Sequence, residues 1–265
     1  MSFLSIFSDY SSITIISLIM LSFLAGFIDA VVGGGGLISI PTLLINFPQM
    51  ALPTLFGTNK IAALAGTSIS AVEYSRRVKF NYKLLFVVAL FAGLASFLGA
   101  KAISSIDVKT LKPVILIILI LIAIYTFIKK DLGAIQTKTL SLNKQLLYGS
   151  ILGTVVGFYD GFFGPGTGSF FVLGFVVIMG FEFIEASAYS KVINCMTNIA
   201  ALVVFIKQGN YIIELAILMA VFNISGSFVG TRLALKKGNS FVRILFLVIV
   251  SLMIMRYGYD VFVAS

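Results

Sequence analysis

An aspartate followed by a cluster of glycines occurs twice in this chain, each time inside sequence apolar enough for the interior of a lipid bilayer. The first copy reads Gly26-Phe27-Ile28-Asp29-Ala30-Val31-Val32-Gly33-Gly34-Gly35-Gly36. The second reads Gly157-Phe158-Tyr159-Asp160-Gly161-Phe162-Phe163-Gly164-Pro165-Gly166-Thr167-Gly168. The interval from Asp29 to Asp160 is the same as that from Gly33 to Gly164 and from Gly35 to Gly166. A buried acid and a run that breaks the helical backbone are each costly in lipid, so a pair of copies points to a duplicated binding site.

The solvent follows from composition. The chain of 265 residues is 59% hydrophobic and only 11% charged, against about 25% charged for a soluble domain. Water cannot be the medium for a chain of this kind, and a polytopic membrane protein is expected. The formal charge of +9 does not imply nucleic acid. Its basic residues fall in short groups between apolar runs, such as Arg76, Arg77 and Lys79, Lys129 and Lys130, and Lys236, Lys237 and Arg243. That placement fits topology signals and anionic headgroups. One cysteine, Cys195, and no histidine exclude an internal disulfide and a cysteine metal cluster, and no cofactor is expected. Cys195 lies in an apolar span and reads as a small buried hydrophobe. The first apolar run leads into the first motif rather than to a small-residue cleavage site, so it reads as a retained span.

Apolar segments run over 11–32, 36–52, 55–75, 81–103 and 110–128, then over 145–163, 168–181, 186–206, 211–235 and 241–262. The most hydrophilic connection is 129–144. Residues 1–130 are therefore read as one half, 131–144 as a linker and 145–265 as the other half. A gapless shift that lays Asp29 on Asp160 aligns 26–121 with 157–252 and gives sixteen identities, among them Lys60/Lys191, Ser96/Ser227 and Gly99/Gly230. The matches include residue types that are rare in membrane spans, as duplication requires. The expected fold is all-α and polytopic, with two repeat-related halves of about five membrane segments each. The span count is eight to ten, because segments 36–52 and 168–181 either cross or re-enter. If every segment crosses, one face gathers Arg76, Arg77, Lys79, Lys83, Lys129, Lys130, Lys236 and Lys237, while charges on the other nearly balance. That asymmetry favours odd-numbered, inverted halves with both termini outside.

Three sets of residues carry candidate chemistry. Consecutive glycines free backbone amides, and a helix restarting after the break points its positive N-terminus into it. Gly33, Gly34, Gly35 and Gly36, and Gly164, Gly166, Thr167 and Gly168, are thus candidate anion nests. Isolated glycines such as Gly93, Gly99, Gly226 and Gly230 read instead as sites of close helix packing. Lys60 and Lys191 would each cost about 2.5–3.5 kcal/mol at the centre of a span. They either face a shared cavity as cations for a small anion, or pair with Asp29 and Asp160, or snorkel to the headgroups. The two aspartates fit a proton carrier, an ion partner or a helix cap equally well. Without histidine, proton coupling would have to use these acids, the lysines or water. Polar residues at helical spacing, Thr58, Asn59, Thr67 and Ser68 in one half and Asn194, Thr197 and Asn198 in the other, either line a path or stitch helices together. Asn223 and Ser227 are weaker cases of the same kind.

Together these motifs resemble the TauE/SafE family of sulfite and organosulfonate exporters. The likeness rests on the first Asp-Gly motif with Pro41, on Gly57-Thr58-Asn59-Lys60, and on the second Asp-Gly motif. It continues through Lys191 with Asn194, Thr197-Asn198, Gly230-Thr231-Arg232 and Lys236-Lys237-Gly238, and so covers nearly the whole chain. It implies a bacterial-type carrier of the inner membrane, multi-pass, for small sulfur-containing or related organic anions. Ala188-Tyr189-Ser190 stands where the first half has Gly57-Thr58-Asn59, so the two halves need not bind alike.

On this reading a small oxyanion sits between the glycine breaks, with Gly33, Gly34, Gly35, Gly36, Thr58, Asn59, Lys60, Gly164, Gly166, Thr167, Gly168, Ser190, Lys191, Asn194 and Asn198 as its surroundings. One half rocks against the other to alternate access. The rivals are an uncoupled anion channel or uniporter and an intramembrane aspartyl protease. The protease would need a Gly-x-Gly-Asp signature, which Asp29 lacks.

Overall fold

The computed structural model describes residues 10–103, 133, 136, 138 and 140–262. The expected segment 110–128, Lys129, Lys130 and most of the linker lie outside the described residues. Helix α1 spans Ser12–Val32, α2 Gly36–Asn46, α3 Leu52–Ser75 and α4 Tyr82–Ala102. After the undescribed stretch come α5 (Leu142–Phe162), α6 (Thr167–Gly174) with a π-helical continuation over Phe175–Met179, α7 (Phe183–Lys207) and α8 (Ile213–Phe262). No strand occurs among the described residues. Helix α8 is interrupted at Gly238, where φ is 80° and ψ is −173°.

The ends of these helices follow from local chemistry. Ser11 caps α1 by accepting from the Thr14 amide, and Asn81 caps α4 by accepting from Leu84. Pro53 occupies the first turn of α3, where its missing N–H removes no helical bond. Gly33 closes α1 in the left-handed region, φ 83°, returning its N–H to the Asp29 carbonyl. The acid and the first glycine of the motif are thereby a helix end and its cap.

Four helices are long and apolar enough to cross a membrane: α1, α4, α7 and the Ile213–Leu252 part of α8. Helices α3 and α5 have the length but carry the polar residues of the site described below. Helix α2 has 11 residues and α6 has 8. At 1.5 Å per residue α2 is only about 16 Å long, against a hydrocarbon core of about 30 Å. It runs back along α1: Gly35 lies against Ala25 and Asp29, while Asn46 accepts from Ser17. The helix in segment 36–52 is thus shorter than the segment and runs antiparallel to α1.

Helix starts recur at nearly constant spacing. Gly36 and Thr167, Leu52 and Phe183, and Tyr82 and Ile213 are separated by the same interval as the two aspartates, and Ser12 and Leu142 by one position less. The packing recurs as well. Helix α1 lies along α8, and α4 lies along α5. The contacts in both pairs advance in the same chain direction, from Ser22–Asn223 to Ala30–Gly230 and from Val88–Gly153 to Ser96–Gly161. Helices α3 and α7 run oppositely, with Gly57 beside Phe205 and Ser68 beside Cys195.

Glycines set these approaches. A Cβ on Gly26 would lie 2.2 Å from the Asn223 carbonyl oxygen, and one on its counterpart Gly157 would lie 2.4 Å from that of Ala92. Gly230 against Phe27 and Gly99 against Phe158 form the second matched pair, at 2.5 and 2.1 Å. Gly226 packs as closely against Phe23, as the small-residue reading expects. Gly93 differs, since a Cβ there would meet nothing nearer than 3.8 Å.

Large apolar side chains such as Ile16, Met20, Phe86, Leu94, Leu98, Val155 and Val221 point outward. In a polytopic protein that surface meets acyl chains. Exposed Arg76, Arg77, Arg232 and Lys236 gather at one end around a hollow of about 510 Å³ that also includes Glu73.

Candidate functional site

The two glycine breaks meet each other. A Cβ on Gly33 would lie 2.2 Å from the Gly168 backbone, and one on Gly36 would lie 3.1 Å from Pro165. The contact is bonded as well as packed. The Ser169 amide donates to the Gly33 carbonyl at 3.1 Å, and the Ser169 hydroxyl donates to the Val32 carbonyl at 2.8 Å. Carbonyls released where α1 ends are thus satisfied by the first turn of α6, as an apolar environment demands. Gly166 caps α6 from the left-handed region, φ 84°, and the Thr167 hydroxyl donates to Gly164. Tyr159 braces the second break by donating to the Pro165 carbonyl at 2.6 Å.

Beside this junction lies a cavity of about 40 Å³, more than the space one water needs. Its polar wall combines Asp29 from α1, Asn59, Lys60 and Thr67 from α3, Asp160 from α5, Thr167 from α6, and Asn194 and Asn198 from α7. Gly33, Gly36, Gly164, Gly166 and Gly168 supply backbone, and Ile40, Phe56, Ala63 and Phe163 supply apolar wall.

The ionic contacts cross between the two copies of the motif. Lys60 donates to Asp160 Oδ2 at 2.9 Å and to Asn198 Oδ1 at 3.2 Å. Lys191 donates to Asp29 Oδ2 at 3.0 Å and also to the Asp29 main-chain carbonyl. Thr67 adds a third donor to Asp29 at 3.1 Å. Lys60 is 5% exposed and Lys191 is 0% exposed, so neither reaches toward headgroups. Burial without pairing would be prohibitive, and here each ammonium has a carboxylate. Each carboxylate is in turn held by a lysine, unlike an aspartyl dyad in which two acids share a proton.

The remaining candidate residues lie off the cavity wall. Gly34 packs against Ile249 and Leu37, and Gly35 packs against Ala25 and Asp29. The Thr58 hydroxyl accepts from the Ile212 amide, and Ser190 donates to the Gly168 carbonyl. Lys191 stands behind Asp29 and is not part of the lining. In the opposite sense, Thr67 belongs to the wall although only its helical spacing singled it out. Its counterpart in the shifted alignment is Asn198, also in the wall, and that pairing of polar positions is the signal that marks it. Asn194 Oδ1 is buried and has no hydrogen-bond donor among the described residues.

Comparison with known proteins places the chain in a family. Residues 18–257 match the family described as Sulfite exporter TauE/SafE. The chain is 39% identical over 236 residues to "Probable membrane transporter protein ORF9" of Sinorhizobium sp., covering 89% of this chain and 88% of that one. It is 34% identical over 245 residues to a "Probable membrane transporter protein" of Haemophilus influenzae, covering 92% and 94%. The same identity and length hold for "Probable membrane transporter protein YfcA" of Escherichia coli, covering 92% and 89%. No solved structure matches.

Proposed function

The chain belongs to the TauE/SafE family, and from that premise we propose that it is a secondary carrier for a small anion, working by alternating access. The anion class is a sulfur-containing oxyanion or a short organosulfonate, and the membrane is the inner membrane of a bacterium-like cell. The two halves act as inverted repeats. Supporting this are the matched helix starts, the opposed directions of α3 and α7, and the parallel α1–α8 and α4–α5 pairs.

One observation carries the reading. Lys60 faces a small polar cavity where two helix breaks meet, and the wall of that cavity draws on both halves. A restarting helix supplies a positive end, glycine backbone allows close approach, and a lysine supplies charge. The occupant is small and negative. Sulfite and short sulfonates fit by charge and by three acceptor oxygens. A site walled by both halves suits a mechanism in which one half moves against the other and opens it to alternate sides. This favours a carrier over a standing pore.

The test is thermal unfolding of the purified protein against sulfite, sulfate, thiosulfate, methanesulfonate and a chloride control, followed by flux of the stabilising anion in liposomes. A sulfur anion that raises the melting temperature and exchanges across the bilayer supports the proposal. Equal response to every anion, or none, contradicts the substrate class.

A further inference from the structure

The two ion pairs are related by the repeat but differ in what they face. Lys191 is wholly enclosed, and its ammonium is bound by both the main-chain carbonyl and the carboxylate of Asp29. Lys60 borders the cavity together with its partner Asp160. An ammonium offers three N–H donors. Two of those on Lys60 go to Asp160 and Asn198, which leaves one for an occupant. Its charge, however, is already cancelled by Asp160. With Lys60, Lys191, Asp29 and Asp160 all ionised, the site is neutral. An anion entering alone would leave uncompensated negative charge among buried side chains.

We propose that Asp160 takes up a proton whenever an anion binds, so that the carrier moves one proton with each monovalent anion. This rests on the anion-carrier reading above. One proton from the side of entry adds to a carboxylate oxygen of Asp160. Lys60 remains an ammonium throughout and directs its charge to the anion. On the far side the anion and the proton leave together, and the ion pair with Asp160 forms again. The O–H bond is the only covalent bond made and broken.

The surroundings of Asp160 leave this role to it. From α3 the charged group facing it is Lys60, and from α7 Asn198 faces it through Lys60. Asp29 on α1 borders the same cavity but is committed to Lys191 and Thr67. Helix α6 brings Thr167 and Gly168. Helix α4 meets α5 through backbone at Ala92 and Ser96, against Gly157 and Gly161. On α5 itself Tyr159 donates to Pro165, and Cys195 of α7 is engaged with Ser68. Asn194 Oδ1, an acceptor without a donor on the same wall, suits a cavity that at one stage holds an acid O–H or a bound water.

The experiment counts protons. Purified wild-type protein in weakly buffered detergent is mixed with methanesulfonate or ethanesulfonate, which stay ionised throughout the working range, and a pH indicator is read beside a binding assay. The expected result is about one proton taken up per anion bound. Asp160→Asn is expected to bind the anion with no proton uptake. Wild-type binding without proton uptake overturns the linkage while leaving the carrier reading in place. A variant that still gains a proton with the anion overturns the assignment to Asp160. Should the variant not fold, the wild-type count decides the linkage, and difference infrared spectra of the wild type decide the acceptor: a protonated-carboxyl C=O band that appears with the anion is expected, and its absence overturns the assignment to a carboxylate. Failure of both sulfonates, and of sulfite, sulfate and thiosulfate, to bind overturns the anion-carrier reading, and this proposal with it.

Discussion

Lys60 lies 2.9 Å from Asp160, the acid of the opposite glycine motif. Lys191 and Asp29 repeat the exchange at 3.0 Å. Each ion pair therefore ties one half of the chain to the other beside the junction of the two helix breaks. Such pairs hold the halves together at the point where an anion would compete for the lysine.

Removing one member of the cavity pair leaves its partner buried and unpaired. Lys60→Met is expected to destabilise the protein by about 3–5 kcal/mol, a cost that is characteristic of a broken buried pair. The double variant Lys60→Met/Asp160→Asn should recover much of that loss, because neither charge is then stranded. Thermal unfolding of the wild type, both single variants and the double variant measures the coupling. Strict additivity would contradict the pairing.

Close helix packing predicts a ranking among glycines. Gly157→Ala drives a methyl into the Ala92 backbone, while Gly93→Ala meets only ordinary contacts. Gly157→Ala should cost about 1–3 kcal/mol, in the range for overpacking, and Gly93→Ala close to nothing. Melting temperatures in one detergent check the order, and a reversal would refute the α4–α5 interface described above.

Much of this was legible in the sequence as a constant spacing between like residues. The shift that lays Asp29 on Asp160 already matched Gly26 with Gly157 and Gly99 with Gly230, and these are the residues that set the helix approaches. The helices themselves follow from apolar runs bounded by Ser11, Asn81 and the glycines. What could not be read was partnership across the halves. Asp29 with Lys60 and Asp29 with Lys191 are equally good pairs on paper, and only packing of α3 against α7 selects between them. The shortness of α2 was obscured because the apolar run of segment 36–52 is longer than its helix. Thr67 was noted for its spacing but not assigned to the site, since a threonine in an apolar helix usually serves its own backbone.

The junction of the two breaks tolerates no side chain at its centre. Gly33 combines φ +83° with a neighbour at 2.2 Å, so Gly33→Ala incurs backbone strain of about 1–3 kcal/mol in addition to a collision. Gly34→Ala meets the Cγ2 methyl of Ile249 at 2.9 Å, a side-chain rather than a backbone contact, and carries no left-handed strain. Folded yield and flux should fall further for Gly33→Ala than for Gly34→Ala. The opposite order would show that the breaks do not need their contact.

Topology gives an independent check. The basic cluster of Arg76, Arg77, Arg232 and Lys236 should face the cytoplasm. In a Cys195→Ser background, Lys207→Cys is expected to react with an impermeant thiol reagent on intact cells, and Arg77→Cys only after permeabilisation. Both residues are exposed and lie at opposite ends of the antiparallel α3 and α7. Labelling of the pair from one side would contradict the arrangement.

The most direct measurement is uptake of labelled sulfite into liposomes holding equal amounts of folded wild-type or Lys60→Met protein. The account predicts saturable uptake by the wild type and a fall to the protein-free background in the variant. Undiminished sulfite uptake by folded Lys60→Met would remove the cavity lysine from the transport path and contradict the account at its centre.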